Sequence, residues 1–260
     1  MEAVGESRVS PAAPADGFDD ALRAVAGVEG WLSPDQAEWL WRYGRAVGAQ
    51  GQIVEIGSYR GRSTILLARA AAPGVGVVAI DPHAGNDRGP QQIEGTASEG
   101  EADHQAFLAN VRAAGIENRV RHVRLPSSGA VSEVQGEIDL LYVDGAHRYA
   151  PARDDIRDWG ARVRPGGVML VHDAFSSIGV TLALMRLVYF GGRFRYEGRT
   201  RSLAAYVRTD LSGRGRAGNA LRQIGELPWF ARNLIVKVAL ATRFTPLARL
   251  VGYRSREWPY

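Results

Sequence analysis

The chain has 260 residues, 45% hydrophobic and 23% charged, enough apolar side chain for one sizeable domain with extensions. It has no cysteine, which excludes disulfides, zinc–thiolate centres and a cysteine nucleophile. The net charge of +4 is uneven: residues 211–260 carry nine basic side chains against Glu226 and Glu257, so the first 210 residues are net acidic.

Residues 1–16, MEAVGESRVSPAAPAD, lack the basic start and apolar run of an export signal, and their Ala, Pro and Ser content predicts a disordered tail. No stretch reaches the roughly 20 apolar residues that cross a bilayer, so a cytoplasmic protein is expected. Residues 17–210 are expected to form one domain. Its first helix is predicted at Ser33-Pro34, an N-cap followed by a residue suited to the first turn. Leu40, Tyr43 and Val47 then share one face, and Gly48 and Gly51 end the helix. Residues 52–57 (QIVEIG) read as a buried strand, 61–72 as a helix and 75–81 (VGVVAID) as a second strand. Residues 82–103 are polar and glycine-rich, which predicts a mobile loop beside a site. An amphipathic helix follows over 102–115, with Phe107, Leu108 and Val111 inward. Strands are predicted at 120–125 and 138–144, the second an apolar run that needs cover on both faces. A helix over 148–163 places Ile156, Trp159 and Val163 on one face. Pro165-Gly166-Gly167 reads as a turn, 168–173 (VMLVHD) as a fifth strand and 178–190 as a helix. RFRYEG and SLAAYVR, joined around Arg199-Thr200-Arg201, read as a closing antiparallel pair.

Strands alternating with helices predict a Rossmann-like α/β fold, a doubly wound and mostly parallel sheet with its ligand at the carboxyl ends of the strands. Residues 211–260 are expected to add a basic amphipathic helical extension. Over 228–251 it is apolar around most of a helical wheel up to Pro246, interrupted by Arg232, Asn233 and Lys237. Such a segment either packs against the domain or a second copy in a homo-oligomer, or lies on an anionic membrane surface.

Each chemical motif falls at a strand end. Glu55-x-Gly57-Ser58-x-x-Gly61 leaves the first strand and enters a helix, where glycines permit a tight turn and close ligand approach. A nicotinamide turn reads G-x-G-x-x-G; the absent first pair argues against a pyrophosphate, and Glu55 suits the cationic end of S-adenosylmethionine (SAM). Asp81 ends the second strand 24 residues after Gly57, the spacing at which a carboxylate meets ribose hydroxyls. Ser127 and Ser128 follow the third strand and could contact an adenine edge. Asp144 and His147 end the fourth strand, His172 and Asp173 the fifth. Neighbouring parallel strands bring these four into one cleft, where they could hold a divalent metal and supply a general base.

EIGSYRGRST, AIDPH, IDLLYVDGAHRY, the downstream Asp155 and RPGGVMLVHD together resemble the class I SAM-dependent methyltransferases with a DG-x-H-x-Y segment and a terminal HD. That group is similar to the macrocin-type sugar O-methyltransferases and, more distantly, to catechol O-methyltransferase. The resemblance covers about residues 50–208 and implies strand order 3-2-1-4-5-7-6. It implies SAM contacts from Glu55, Gly57 and Asp81, with Ser127 and Ser128 near the adenine. It places Mg²⁺ or Mn²⁺ on Asp144, His172 and Asp173, and makes His147 the base. His172 stands where the group carries an acidic ligand, and an imidazole suits Mn²⁺ better than Mg²⁺. The expected partner is a hydroxylated small molecule such as a sugar or glycoside. A nicotinamide oxidoreductase, a non-catalytic SAM-binding protein at a membrane and N-methylation are the competing readings. Nucleic acid is disfavoured, because the domain lacks interleaved aromatic and basic residues.

Overall fold

A computed structural model describes residues 17–87, 93–243 and 245–253. The expected tail over 1–16 lies outside them. Seven strands form one sheet in the order β3-β2-β1-β4-β5-β7-β6, the order the resemblance implied. They are β1 (Ile53–Ile56), β2 (Val77–Ile80), β3 (Val120–Val123), β4 (Ile138–Val143), β5 (Val163–Val171), β6 (Phe194–Thr200) and β7 (Leu203–Arg208). The first five run parallel, with Ile56 in register with Ile80 and Val143. β7 pairs antiparallel with both β5 and β6 and closes the sheet.

The period of two along each strand feeds two cores. Val54, Ile56, Leu141, Val143, Met169 and Val171 meet one face of helices. That face is built by α6 (Tyr149–Asp158) and α7 (Ile178–Leu184), with Ile156, Trp159, Val180 and Leu184 buried. Ile53, Val77, Leu140, Tyr142 and Leu170 meet the other face. There α1 (Phe18–Ala24), α2 (Pro34–Arg45), α3 (Arg62–Ala70) and α4 (Ala97–Ala113) supply Ala21, Leu40, Ile65 and Phe107. Because both faces are covered, β2 is apolar throughout, β1 is apolar save for the buried Glu55, and β4 is apolar beyond Asp139.

Ser33 caps α2 as expected, its hydroxyl accepting from Gln36 N at 3.3 Å. Other boundaries differ from the sequence reading. A first helix, α1, precedes α2. The loop expected over 82–103 is shorter, because α4 begins at Ala97 behind a Thr96–Glu99 capping box. Gly85 and Gly100 let the remaining loop lie against that first turn: a Cβ on Gly85 would stand 2.1 Å from Thr96 O, and one on Gly100 2.3 Å from His83 O. The helix expected to reach 163 ends at Asp158 and passes through a 3₁₀ turn, and the one expected to reach 190 ends in a π turn over Met185–Tyr189. Pro165-Gly166-Gly167 lies inside β5 as a bulge, since β4 pairs Ile138 with Val163 and then Leu140 with Val168. Ser127 and Ser128 open a short helical turn, α5 (Ser127–Ala130).

The extension folds as α8 (Gly213–Ile224), α9 (Leu227–Ala241) and α10 (Thr245–Leu250). Val236 and Ala239 of α9 are fully buried, and Trp229 and Phe230 pack on the core. Asn233 Nδ2 donates to Phe175 O at 3.2 Å, and Lys237 Nζ to Ser176 O at 2.8 Å. Glu226 accepts from Arg199 Nε at 2.8 Å and Tyr196 OH at 2.9 Å, and the Arg199 guanidinium covers the Trp229 ring at 3.7 Å. Two of the polar exceptions in the apolar wheel thus satisfy carbonyls that open the β5–α7 connection. Among the described residues, no helix is long and apolar enough to cross a membrane.

Candidate active site

The carboxyl ends of β1, β2, β4 and β5 open into one cavity of about 350 Å³, the size of a small-ligand pocket. At its centre the β1–α3 turn passes under the end of β4. Gly57 has φ +87°, and a Cβ there would stand 2.1 Å from Asp144 O, so only glycine lets the two strand ends pack. Gly61, φ +89°, caps α3. Ser58 lines the cavity with its hydroxyl buried and without a partner among the described residues.

Asp81 binds two loops as well as facing the cavity. Oδ2 accepts from Tyr59 N at 2.8 Å and Oδ1 from His83 N at 2.8 Å. Tyr59 and His83 both hold positive φ, at 44° and 46°, and His83 Nε2 meets Tyr59 O at 2.7 Å. A carboxylate is needed here before any ligand arrives, because it holds two strained turns in place.

Glu55 sits elsewhere than expected. Its carboxyl is fully buried beneath α3, bonded by the Ser63 hydroxyl and, at 2.5 Å, by Thr64 Oγ1, and it does not line the cavity. Burial pushes its pKa up to about 8, against the pull of the two hydroxyl bonds. Gly61 and Ser128 also stay off the cavity wall, whereas Gly57, Ser58, Asp81, Ser127, Asp144, His147, His172 and Asp173 all line it.

The ends of β4 and β5 carry the densest charge. His147 Nε2 lies 2.9 Å from Asp173 Oδ2. His172 Nδ1 lies 3.1 Å from the same oxygen and 3.2 Å from Asp144 Oδ1. Tyr142 OH donates to Asp144 Oδ2 at 2.8 Å. Asp173 has φ +55°, a turn that swings its carboxylate back over the strand end. The α7 N-terminus fixes the His147 backbone: Ser177 Oγ donates to His147 O at 3.1 Å. Burial alone would lower both imidazoles. For His172 the charges of Asp144 and Asp173 outweigh it and push the pKa up to about 10. For His147 the charge and hydrogen bond of Asp173 outweigh it, leaving the pKa raised. Burial works against the Asp173 carboxylate, yet both imidazoles hold it well below its ordinary range. Among the described residues, donor atoms of Asp144, His147 and Asp173 lie within 4.8 Å of one another, a spacing that could hold a metal ion.

Sequence reasoning missed several wall residues: Trp31, Tyr59, Arg62, Tyr142 and Asp155. Tyr142 was findable, since it precedes Asp144 by two positions and shares its strand face. Trp31 was not, because nothing local ties the α1–α2 connection to a distant strand end.

Residues 54–174 match the family model for a methyltransferase domain. Solved structures share the fold at low identity. A cofactor-bound protein from MTB is 21% identical, with a TM-score of 0.53 over 80% of this chain and 94% of that one. An O-methyltransferase from Bacillus cereus in complex with S-adenosylhomocysteine is 19% identical, with a TM-score of 0.53 over 74% and 90%. A methyltransferase from Podospora anserina with S-adenosylhomocysteine bound is 16% identical, with a TM-score of 0.54 over 74% and 86%.

Proposed function

We propose that this class I, SAM-dependent methyltransferase moves the cofactor's methyl group to a hydroxyl oxygen of a small acceptor such as a sugar or glycoside, with His147 as general base. The observation that carries this reading is the His147–Asp173 contact of 2.9 Å on the same cavity wall as Gly57 and Asp81. A carboxylate-oriented imidazole is a stronger base than a lone one. The new O–CH₃ bond forms as the sulfonium S–CH₃ bond breaks, and the hydroxyl proton passes to the His147 imidazole. Gly57, Ser58 and Asp81 hold the cofactor, with Ser127 at its adenine end. Glu55 acts one layer back, fixing Ser63 and the start of α3. The protein's main contribution is alignment of oxygen, carbon and sulfur in the cavity.

Two carboxylates with imidazoles suit a divalent cation, Mn²⁺ better than Mg²⁺. Asp144 and Asp173 would hold it, with His147, whose donor atom lies within 4.8 Å of theirs, or His172 as the imidazole ligand, and a cation there would supply a Lewis acid that lowers the pKa of the acceptor hydroxyl. His147 shares the same carboxylates, so its part as base rather than ligand has a separate test. His147→Ala abolishes turnover and leaves Mn²⁺ affinity within about threefold if His147 is the base. A collapse of Mn²⁺ affinity makes it a ligand instead. Label transfer from methyl-labelled SAM across a panel of sugars, glycosides and amines tests the reaction. O-methyl products support the reading; products methylated only on nitrogen contradict it.

A second reading concerns the extension. Leu221 and Ile224 are exposed on α8, which also carries the basic Arg222, and Val238 is exposed on α9. Exposed apolar and basic residues of this kind support peripheral contact with an anionic membrane. Flotation on phosphatidylglycerol vesicles, with and without residues 211–260, tests it, and equal flotation of both ends the idea.

A further inference from the structure

The chain has five histidines, and they fall into two groups. His147 and His172 stand at the ends of β4 and β5. The other three meet where the loop after β2, α4 and β3 come together. The ring centroids of His83, His104 and His122 form a triangle with sides of 5.2, 5.1 and 5.1 Å. Each ring keeps one buried nitrogen without a hydrogen-bond partner among the described residues: Nδ1 of His83, Nδ1 of His104 and Nε2 of His122. Buried polar atoms are normally paired, so three such nitrogens in one cluster call for a common partner.

The opposite nitrogens show which electron pairs are free. His83 Nε2 lies 2.7 Å from Tyr59 O, which only accepts, so Nε2 carries the proton and Nδ1 the lone pair. The Asp81 carbonyl likewise accepts from the His122 ring and leaves its Nε2 free of a proton. An imidazole that donates one N–H to a carbonyl and keeps the other nitrogen bare is arranged as a metal-bound histidine is. Burial, with the charges of His83 and His104, lowers His122 to about 4; burial, with the charges of Arg124 and His83, also lowers His104. Both rings are therefore neutral at pH 7, as ligands must be.

The helix adds a carboxylate. Glu101 stands three residues before His104 on α4, the spacing at which a helical carboxylate and imidazole share a metal, and its Oε1 is 3.8 Å from His104 Nδ1. Arg124 holds the other carboxylate oxygen at 2.6 Å. Three imidazoles on one tetrahedral ion, with bonds of about 2.0–2.1 Å, set their centroids about 5 Å apart, the size of this triangle. The three bare nitrogens do not all lie within 4.8 Å of one another, unlike the donors of Asp144, His147 and Asp173. Rotation about Cβ–Cγ leaves a ring's centroid in place, so turns of the rings bring them together without moving α4 or β3.

We propose that His83, His104 and His122, with Glu101 as the fourth ligand, form a second metal site for Zn²⁺ or another divalent cation that favours imidazole. Four protein ligands leave no open position, so the ion is structural: it ties the loop after β2 to α4 and β3. The site stands apart from the cavity chemistry and does not depend on SAM binding there.

The full chain is stripped with EDTA and titrated with Zn²⁺ by calorimetry, and with Co²⁺ by the visible absorption that marks tetrahedral coordination. The wild type is expected to take up both ions. His104→Ala should weaken that uptake about 100-fold or more, since even an outer partner of a metal ligand is worth about 10–100-fold. Asp173→Asn, which removes the carboxylate common to the other metal-capable group, should leave the tetrahedral Co²⁺ spectrum in place. Zn²⁺ at about 100 times its Kd should raise the Tm of Asp173→Asn by roughly 5–10 °C, and EDTA should reverse it. A wild type that takes up neither ion overturns the proposal. So does uptake that Asp173→Asn abolishes and His104→Ala leaves unchanged, which would assign the ion to the ends of β4 and β5. Should Asp173→Asn not fold, His104→Ala against the wild type decides alone, and equal uptake by the two overturns the site.

Discussion

Replacing Gly57 with alanine tests how the fold makes the site. Two separable costs apply. The backbone holds φ +87°, and a left-handed conformation costs a non-glycine residue roughly 1–2 kcal/mol. The new Cβ would also stand 2.1 Å from Asp144 O and 2.6 Å from its carbonyl carbon, both backbone atoms that no rotamer change can move. Relieving that contact spreads the ends of β1 and β4, an overpacking cost of about 1–3 kcal/mol. The total is about 2–5 kcal/mol, which for a domain of this size lowers Tm by roughly 5–15 °C. Gly115→Ala provides the control: its φ is +67°, but nothing lies within 4 Å of the added Cβ. It pays only the first cost and should lose roughly 1–2 kcal/mol. Both variants are followed by chemical unfolding with circular dichroism, and SAM affinity is measured on each. Gly57→Ala should lose about 1–3 kcal/mol more than Gly115→Ala and bind SAM more weakly, because Asp144 moves with the strand end. Equal losses in the two variants would refute the claim that close packing of β1 on β4 shapes the cavity.

Further outcomes follow from other contacts. His122 packs against His83, His104 and Phe107, with ring centroids 5.1, 5.1 and 4.6 Å away, and burial, reinforced by His83 and His104, lowers its pKa from 6.5 to about 4. The unfolded chain therefore binds a proton that the folded one resists, so the stability is fully present above pH 6.5 and is lost as pH falls toward 4. The full drop is worth about 3 kcal/mol; for a ring that solvent partly reaches we take about 1–2 kcal/mol. His122→Phe should flatten the stability–pH curve across that window by this amount, and an unchanged slope would assign it to other groups. Asn233→Ala leaves Phe175 O without its donor and should cost about 1–3 kcal/mol in urea unfolding. A loss below about 0.5 kcal/mol would mean that α9 is not held through that bond. His147→Ala should bind SAM within about threefold of the wild type and show no turnover; retained activity removes His147 from the chemistry.

The sheet was legible because several of its strands are short apolar runs that end in Asp81, Asp144 or His172-Asp173, while the strand order came from the resemblance those motifs carry. Helix limits were less legible. α4 starts five residues early on a Thr96 capping box whose first turn carries almost no apolar signal. The Pro-Gly-Gly bulge is held inside β5 by pairing to β4, a non-local fact. The convergence of Asp144, His147, His172 and Asp173 followed from parallel neighbours alone. Glu55 misled because its charge suggested a ligand contact, while the residues that bury it, Ser63 and Thr64, lie on the next helix and read as ordinary helix positions. Asp155 belongs to a recognisable pattern, but its place on the cavity wall depends on how α6 packs beside α5.

Calorimetry of SAM with the wild type and with Asp81→Ala, each with and without Mn²⁺, tests the central claim most directly. Asp81 holds Tyr59 N and His83 N at 2.8 Å each and faces the cavity, so its loss loosens both loops and, on the proposed reading, removes a ligand contact. A wild type that binds SAM, with affinity reduced at least tenfold in Asp81→Ala, is the predicted result. A wild type that binds no SAM under any of these conditions would contradict the account.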